Sequence, residues 1–171
     1  KEVYAVGTSV SKFKYYGNLD RIDETNFKED ALLIALDVPN ASRIDGVDKS
    51  AFKEIFKIDH HPSDEGFGDC DWIDETSSNT CQMIIELILG TRMKFDRKIA
   101  ENLYLGVVSD SDRFLISYTT AKTFSLVAKL IEKSQIDFTN LYPYLYERPL
   151  QEIKFHGFLS ENLIVSENGF A

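Results

Sequence analysis

The sequence predicts an α/β fold in which a mostly parallel sheet is flanked by helices. Three observations predict it. Strand-sized apolar runs alternate with stretches of helical period, the order from which parallel sheets are built. The run Ala31 to Leu36 is apolar throughout, the pattern of a strand buried on both faces of such a sheet. Two runs end in residues able to do chemistry, and ligands collect beyond the carboxyl ends of parallel strands. The chain has 171 residues, 43% hydrophobic and 12% aromatic, enough apolar material for a substantial core. Global disorder is thereby excluded.

Val3 to Val6 reads as a short strand that stops at Gly7, and residues 8 to 30 read as a loop-rich crossover. The apolar strand Ala31 to Leu36 stops at Asp37, after which Pro39 and Asn40 break the chain. A second strand, about Glu54 to Ile58, runs into Asp59-His60-His61-Pro62. The turn-rich stretch Ser63 to Gly68 leads to a third strand, Cys70 to Ile73. The period then turns helical. Thr76, Ser77 and Ser78 are N-cap candidates for the apolar segment Met83 to Leu89, and Gly90 closes it. Ile99, Leu103 and Val107 form one stripe and Ala100, Tyr104 and Val108 the next, a broad apolar helix face ending in Ser109-Asp110-Ser111-Asp112. Phe124, Val127 and Ile131 mark a further amphipathic helix. Residues 138 to 160, with Pro143, Pro149 and several tyrosines, read as helical linker. Leu163 to Val165 opens a new strand, so residues 161 to 171 are expected to start a second domain.

The formal net charge of −9 argues against gripping long duplex DNA through its phosphates. It leaves small phosphorylated ligands open, because a divalent cation inverts the local sign. No apolar stretch approaches the roughly 18 residues of a membrane span, so no membrane partner is expected. Cys70 and Cys81 have neither a zinc spacing nor a disulfide framework. Two reduced thiols and no leader-like segment give a cytoplasmic expectation. Lys1, entering directly into a strand-like segment, reads as a cut end.

Asp37 alone is most cheaply a cap on the turn after its strand. The adjacent His60 and His61, two of three histidines in the chain, are harder to dismiss as a solvated turn. Neighbouring residues leaving a strand point opposite ways, so the imidazoles should play different parts: one on a metal, one towards a substrate phosphate. Asp59 is suited to accept the remaining ring proton of a metal-bound histidine. Asp110 and Asp112, taken singly, read as a polar loop or helix end.

Asp59-His60-His61, the apolar strand ending in Asp37, and Gly-Val-Val-Ser-Asp-Ser-Asp-Arg-Phe at 106 to 114 together resemble the DHH phosphoesterases. The closer resemblance is to their branch of bacterial nano-RNases that also act on 3′-phosphoadenosine 5′-phosphate. Val3 to Gly7, Lys57 to Pro62, Asp71 to Ser78, Glu86-Leu87, Thr119-Thr120, Leu145 to Glu147 and Phe158 to Gly169 extend it along almost the whole chain. The resemblance implies a partial catalytic domain over 1–137 lacking its first strand, a helical linker over 138–160, and the first strand of a truncated substrate-binding domain over 161–171.

It also implies two Mn²⁺ ions sharing a water in the intact enzyme. Asp37 matches the aspartate that bridges both ions, His60 and Asp110 match ligands of the second ion, His61 matches the histidine that faces the scissile phosphate, and Asp59 the supporting carboxylate. Arg113 is placed to meet a substrate phosphate. Oxygen and imidazole ligands suit Mn²⁺, and paired ions can activate water and balance charge on attacking and leaving oxygens. The expected substrates are short RNA oligonucleotides, dinucleotides or phosphorylated nucleotides such as 3′-phosphoadenosine 5′-phosphate. A homodimer is compatible with the sequence.

Three departures qualify the resemblance. The family's first motif, His-x-x-Pro-Asp-x-Asp, is absent, so at most one metal site is well ligated and the chain alone is expected to be inactive. The Gly-Gly-His segment of the second domain is absent too. Asp112 stands where that family has glycine. A RecJ-like single-strand exonuclease is the alternative among enzymes, and a nucleotide sensor that has lost turnover is the alternative outside them.

Overall fold

A computed structural model describes residues 2–8, 11–22, 30–62 and 65–169. Lys1, parts of the expected crossover (9–10 and 23–29), Ser63-Asp64 of the expected turn, and residues 170–171 lie outside the described residues. Three strands, β1 (Leu32–Leu36), β2 (Glu54–Asp59) and β3 (Cys70–Ile73), form one sheet in the order β1-β2-β3. Both pairings are parallel, with Leu36 beside Ile58 and Asp59 beside Ile73. All three carboxyl ends therefore open on one edge, the edge that carries Asp37 and Asp59-His60-His61.

Among the described residues five α-helices follow: α1 (Thr80–Gly90), α2 (Arg97–Asp110), α3 (Ala121–Ser134), α4 (Tyr142–Tyr146) and α5 (Leu150–Glu161). The first three build the core. Ile85 and Ile88 of α1 meet Ala100, Tyr104, Val107 and Val108 of α2 and Leu126, Val127 and Leu130 of α3. The buried face of α2 is thus the Ala100-Tyr104-Val108 stripe together with Leu105 and Val107, while Ile99 lies exposed at its margin. Gly106 of α2 faces Cys81 of α1, and a Cβ at 106 would overlap the Cys81 Sγ. The helices approach this closely because position 106 has no side chain.

The structure corrects several expectations. β1 is covered on one face only: Leu33 and Ala35 are buried, whereas Leu32, Ile34 and Leu36 are 50%, 52% and 49% exposed. Among the described residues nothing covers that second face. Val3 to Val6 forms no strand; the backbone of Ala5 pairs with Asp20, a loop residue that supplies both a carboxylate and an N–H. Leu163 to Val165 joins no ladder and lies exposed after the end of α5. The N-cap of α1 is Asn79, whose side chain accepts from the Gln82 N–H, and not Thr76, Ser77 or Ser78. Gly90 is the last helical residue, not a left-handed cap, since Thr91 follows in extended conformation.

The residues between β3 and α1 are spent on a buried network. Gln82 Oε1 accepts from Ser78 Oγ (2.9 Å) and from Thr123 Oγ1 of α3 (2.6 Å), while its Nε2 donates to Ser77 Oγ (3.2 Å). Buried polar groups satisfied this fully fix one arrangement of the elements that bear them. Here they fix the first turn of α1.

Candidate metal centre and active site

β1 ends by turning Asp37 into the left-handed region, at φ 62°. Its N–H still reaches Ile58 O (3.0 Å), so the ladder continues while the side chain swings away. Aspartate is among the residues that tolerate this conformation, and such strain gathers at functional sites. The carboxylate lands at the start of α1, where Thr80 Oγ1 donates to Asp37 Oδ1 at 2.7 Å.

β2 delivers the histidines. His60 Nε2 lies 3.5 Å from Asp37 Oδ1 and 3.7 Å from Asp110 Oδ2, between carboxylates from β1 and the last residue of α2. Burial, and then the Asp37 carboxylate, raise the Asp110 pKa above its ordinary value; His60 and His61 oppose the rise. Carboxylates converging on one imidazole repel each other until a cation joins them. Ligand atoms of Asp37, His60 and His61 also lie within 4.8 Å of one another. A carboxylate and imidazole donor set at such separations fits a divalent first-row metal.

Asp59 plays a different part from the one the sequence suggested. Its ring partner is His61, not the candidate metal ligand His60. Asp59 Oδ1 is 2.8 Å from His61 Nδ1, and the same oxygen accepts the N–H groups of His60 (2.9 Å) and His61 (3.3 Å). That bond commits Nδ1 and leaves Nε2 as the free ring nitrogen of His61. Although Nδ1 is 4.0 Å from Asp37 Oδ1, His61 can serve a cation only through Nε2 or by giving up Asp59.

Lys57 and Thr80 are parts of the site that sequence reasoning missed. Lys57 is fully buried, two positions before Asp59 on the same face of β2 and beside the small Ala35 of β1. Its Nζ donates to Pro39 O (2.8 Å), stands 3.7 Å from Asp59 Oδ2 and lies over the Phe67 ring. A lysine set among the apolar Ile55, Phe56 and Ile58 of the strand was the available signal. Thr80 gave none, because its bond to Asp37 spans 43 residues.

Arg113, the expected phosphate contact, follows Asp110 by three residues. Asp112, Arg113 and Phe114 are consecutively left-handed, at φ 41°, 64° and 68°. Each non-glycine residue there costs about 1–2 kcal/mol. The turn is held by buried Ser111, whose Oγ donates to Val107 O (2.6 Å) and accepts from the Phe114 N–H (2.9 Å). It brings the Arg113 guanidinium over the Tyr146 ring of α4, 5.7 Å from its centroid.

Parallel strands ending in Asp37 and Asp59-His60-His61, faced by Asp110 from a helix end, define a class: α/β proteins with an Asp-His-His motif on the carboxyl edge of the sheet. No family model matches the chain. Over its whole length it is 37% identical to the bifunctional oligoribonuclease and PAP phosphatase NrnA of Bacillus subtilis, and covers 55% of that protein. It is 31% identical over 91% of its length to the NrnA of Mycoplasma genitalium, and covers 50% of it. An exopolyphosphatase-related protein from Bacteroides fragilis superposes with a TM-score of 0.70 over 80% of this chain and 42% of that one, at 22% identity, a likeness of fold alone. These relatives, with the shared fold, support an NrnA-like DHH phosphoesterase. It spans about half the length of these curated relatives.

Proposed function

We propose that the protein is a Mn²⁺-dependent phosphoesterase of short RNA oligonucleotides, dinucleotides or 3′-phosphoadenosine 5′-phosphate. The observation that carries this reading is His60 Nε2 between Asp37 and Asp110, beside a His61 that Asp59 holds by Nδ1. In this reading Asp37, His60 and Asp110 hold a divalent ion. Bound there, the ion supplies Lewis-acid polarisation of a phosphoryl oxygen and lowers the pKa of water. Thr80 fixes one oxygen of Asp37, so the carboxylate meets its partners in a single orientation. Asp59 orients His61 through its Nδ1–H, and Nε2 stabilises charge on a phosphoryl oxygen when it carries a proton. Arg113 receives a second phosphate oxygen.

The whole protein uses two ions, to the first of which this chain brings Asp37 alone. The 171-residue chain by itself is therefore expected to turn over poorly. Residues 1–137 are assigned to a catalytic domain and 161–171 to the start of a substrate-binding domain. Between them, the linker over 138–160 is supported by α4 and α5. A cytoplasmic location, and a homodimer as the assembled form, belong to the same reading.

The test is to incubate the whole protein with Mn²⁺ and the dinucleotide pApA and follow AMP release, with His60→Ala as control. Metal-dependent release lost in the variant supports the reading. Tight dinucleotide binding with no AMP released replaces it by a sensor. Metal titration separates the histidines: His60→Ala is expected to weaken Mn²⁺ binding by well over 10-fold, and His61→Ala by less than about 10-fold. Equal losses would show the two roles misassigned.

A further inference from the structure

The Arg113 guanidinium is engaged before any ligand arrives. Its Nε and Nη2 both donate to Asp112 Oδ1, at 3.2 and 2.8 Å. Those two donors form the edge of the fork that takes a carboxylate or phosphate. The pair faces solvent, with Asp112 63% and Arg113 52% exposed, so ligands can reach it. The Tyr146 ring, itself 37% exposed, underlies the guanidinium. The turn behind it is held by Ser111 and by the Arg113 N–H on Val108 O (2.9 Å). The pairing is thus built into a strained, anchored turn that sets Asp112 and Arg113 side by side.

We infer that Asp112 is a resident anion on Arg113, one that an incoming phosphate must displace, and that it sets how tightly this protein holds phosphorylated ligands. The inference rests on the reading above in which Arg113 receives a substrate phosphate. A phosphate oxygen and Asp112 Oδ1 compete for the same two donors, and the displaced carboxylate stays nearby to repel the ligand. An exposed ion pair of this kind is weak. It attenuates binding and does not block it.

The experiment measures AMP binding calorimetrically in the whole protein with Mn²⁺, for wild type, Asp112→Asn, Arg113→Ala and the double variant. Asparagine keeps the size and the tolerance of positive φ while removing the charge. Asp112→Asn is expected to tighten AMP binding about two- to fivefold, and the gain is expected to vanish when Arg113 is alanine. Asp112→Gly, which also relaxes the backbone, is expected to act in the same direction.

Unchanged or weaker binding by Asp112→Asn overturns the inference. So does a gain that persists without Arg113, which would be a general charge effect, and so does no AMP binding by any of the proteins. Hydrolysis of pApA is followed separately. A protein that releases no AMP yet shows the Arg113-dependent gain retains this inference and loses the functional reading. One that hydrolyses pApA while Asp112→Asn binds AMP like wild type does the reverse.

Discussion

Lys57 is a charged side chain with no access to water, and its partners explain why it is tolerated. The ammonium faces Asp59 Oδ2, an oxygen with no hydrogen-bond partner among the described residues. Lys57→Met leaves a buried carboxylate without its counter-charge, a change that costs about 3–5 kcal/mol. Urea unfolding checks it; a loss below about 1 kcal/mol would mean that the N–H groups on Oδ1 compensate Asp59 unaided. The cysteines divide by environment. Burial first, and then the carboxylates of Asp37 and Asp110, push the Cys81 thiol up to about 12, whereas Cys70 is exposed. A raised pKa keeps the thiol protonated at pH 8, and the protonated form is a poor nucleophile. One thiol is therefore expected to react with a disulfide reagent in the folded protein and two in urea; two fast thiols without denaturant would contradict this. At this scale the strand end and the Asp-His-His run are local signals that drew notice to Asp37 and His60, whereas Asp110, a polar helix end when taken singly, came only from the family resemblance. Thr80 and the Lys57–Pro39 bond were invisible because each joins residues far apart in the chain.

Among the elements, the α1–α2 crossing is a close joint that depends on Gly106. Gly106→Ala places a methyl group against Cys81 Sγ, with Cys81 Cβ close behind it. Overpacking of this kind costs about 1–3 kcal/mol, which outweighs the ~1 kcal/mol that alanine gains over glycine in a helix. In a Cys81→Ala background the same substitution is expected to become neutral or stabilising, and thermal denaturation of the four proteins completes the cycle. A Gly106→Ala penalty of the same size in both backgrounds would remove Cys81 as its cause. β2 and β3 were legible almost to the residue, because short runs bounded by turn formers leave little choice. The burial of β1 was not, since an all-apolar run says what a strand can bury, not what covers it. The α1 cap was misread because serine and threonine are also good caps, and three hydroxyls preceded the asparagine that does the capping.

Across the whole molecule, order is graded from the three-helix core outwards. α5 buries none of its residues, although Leu150, Ile153, Phe155, Phe158 and Leu159 are apolar. A helix without tertiary burial has only its own propensity to hold it. Hydrogen exchange of the chain is accordingly expected to show α5 amides nearly unprotected while those of α1 and α2 exchange slowest. Equal protection would mean that α5 is held by something its exposure does not reveal. The buried network that starts α1 points to a different use of the molecule. Thr123 bonds Gln82, Gln82 closes the turn that begins with Asn79, and the next residue, Thr80, grips Asp37. A position that touches neither substrate nor ion thus has a mechanical line to a candidate ligand. Anyone breeding variants with altered ion preference would do well to randomise Thr123 and Gln82 together, leaving the residues of the centre as they are.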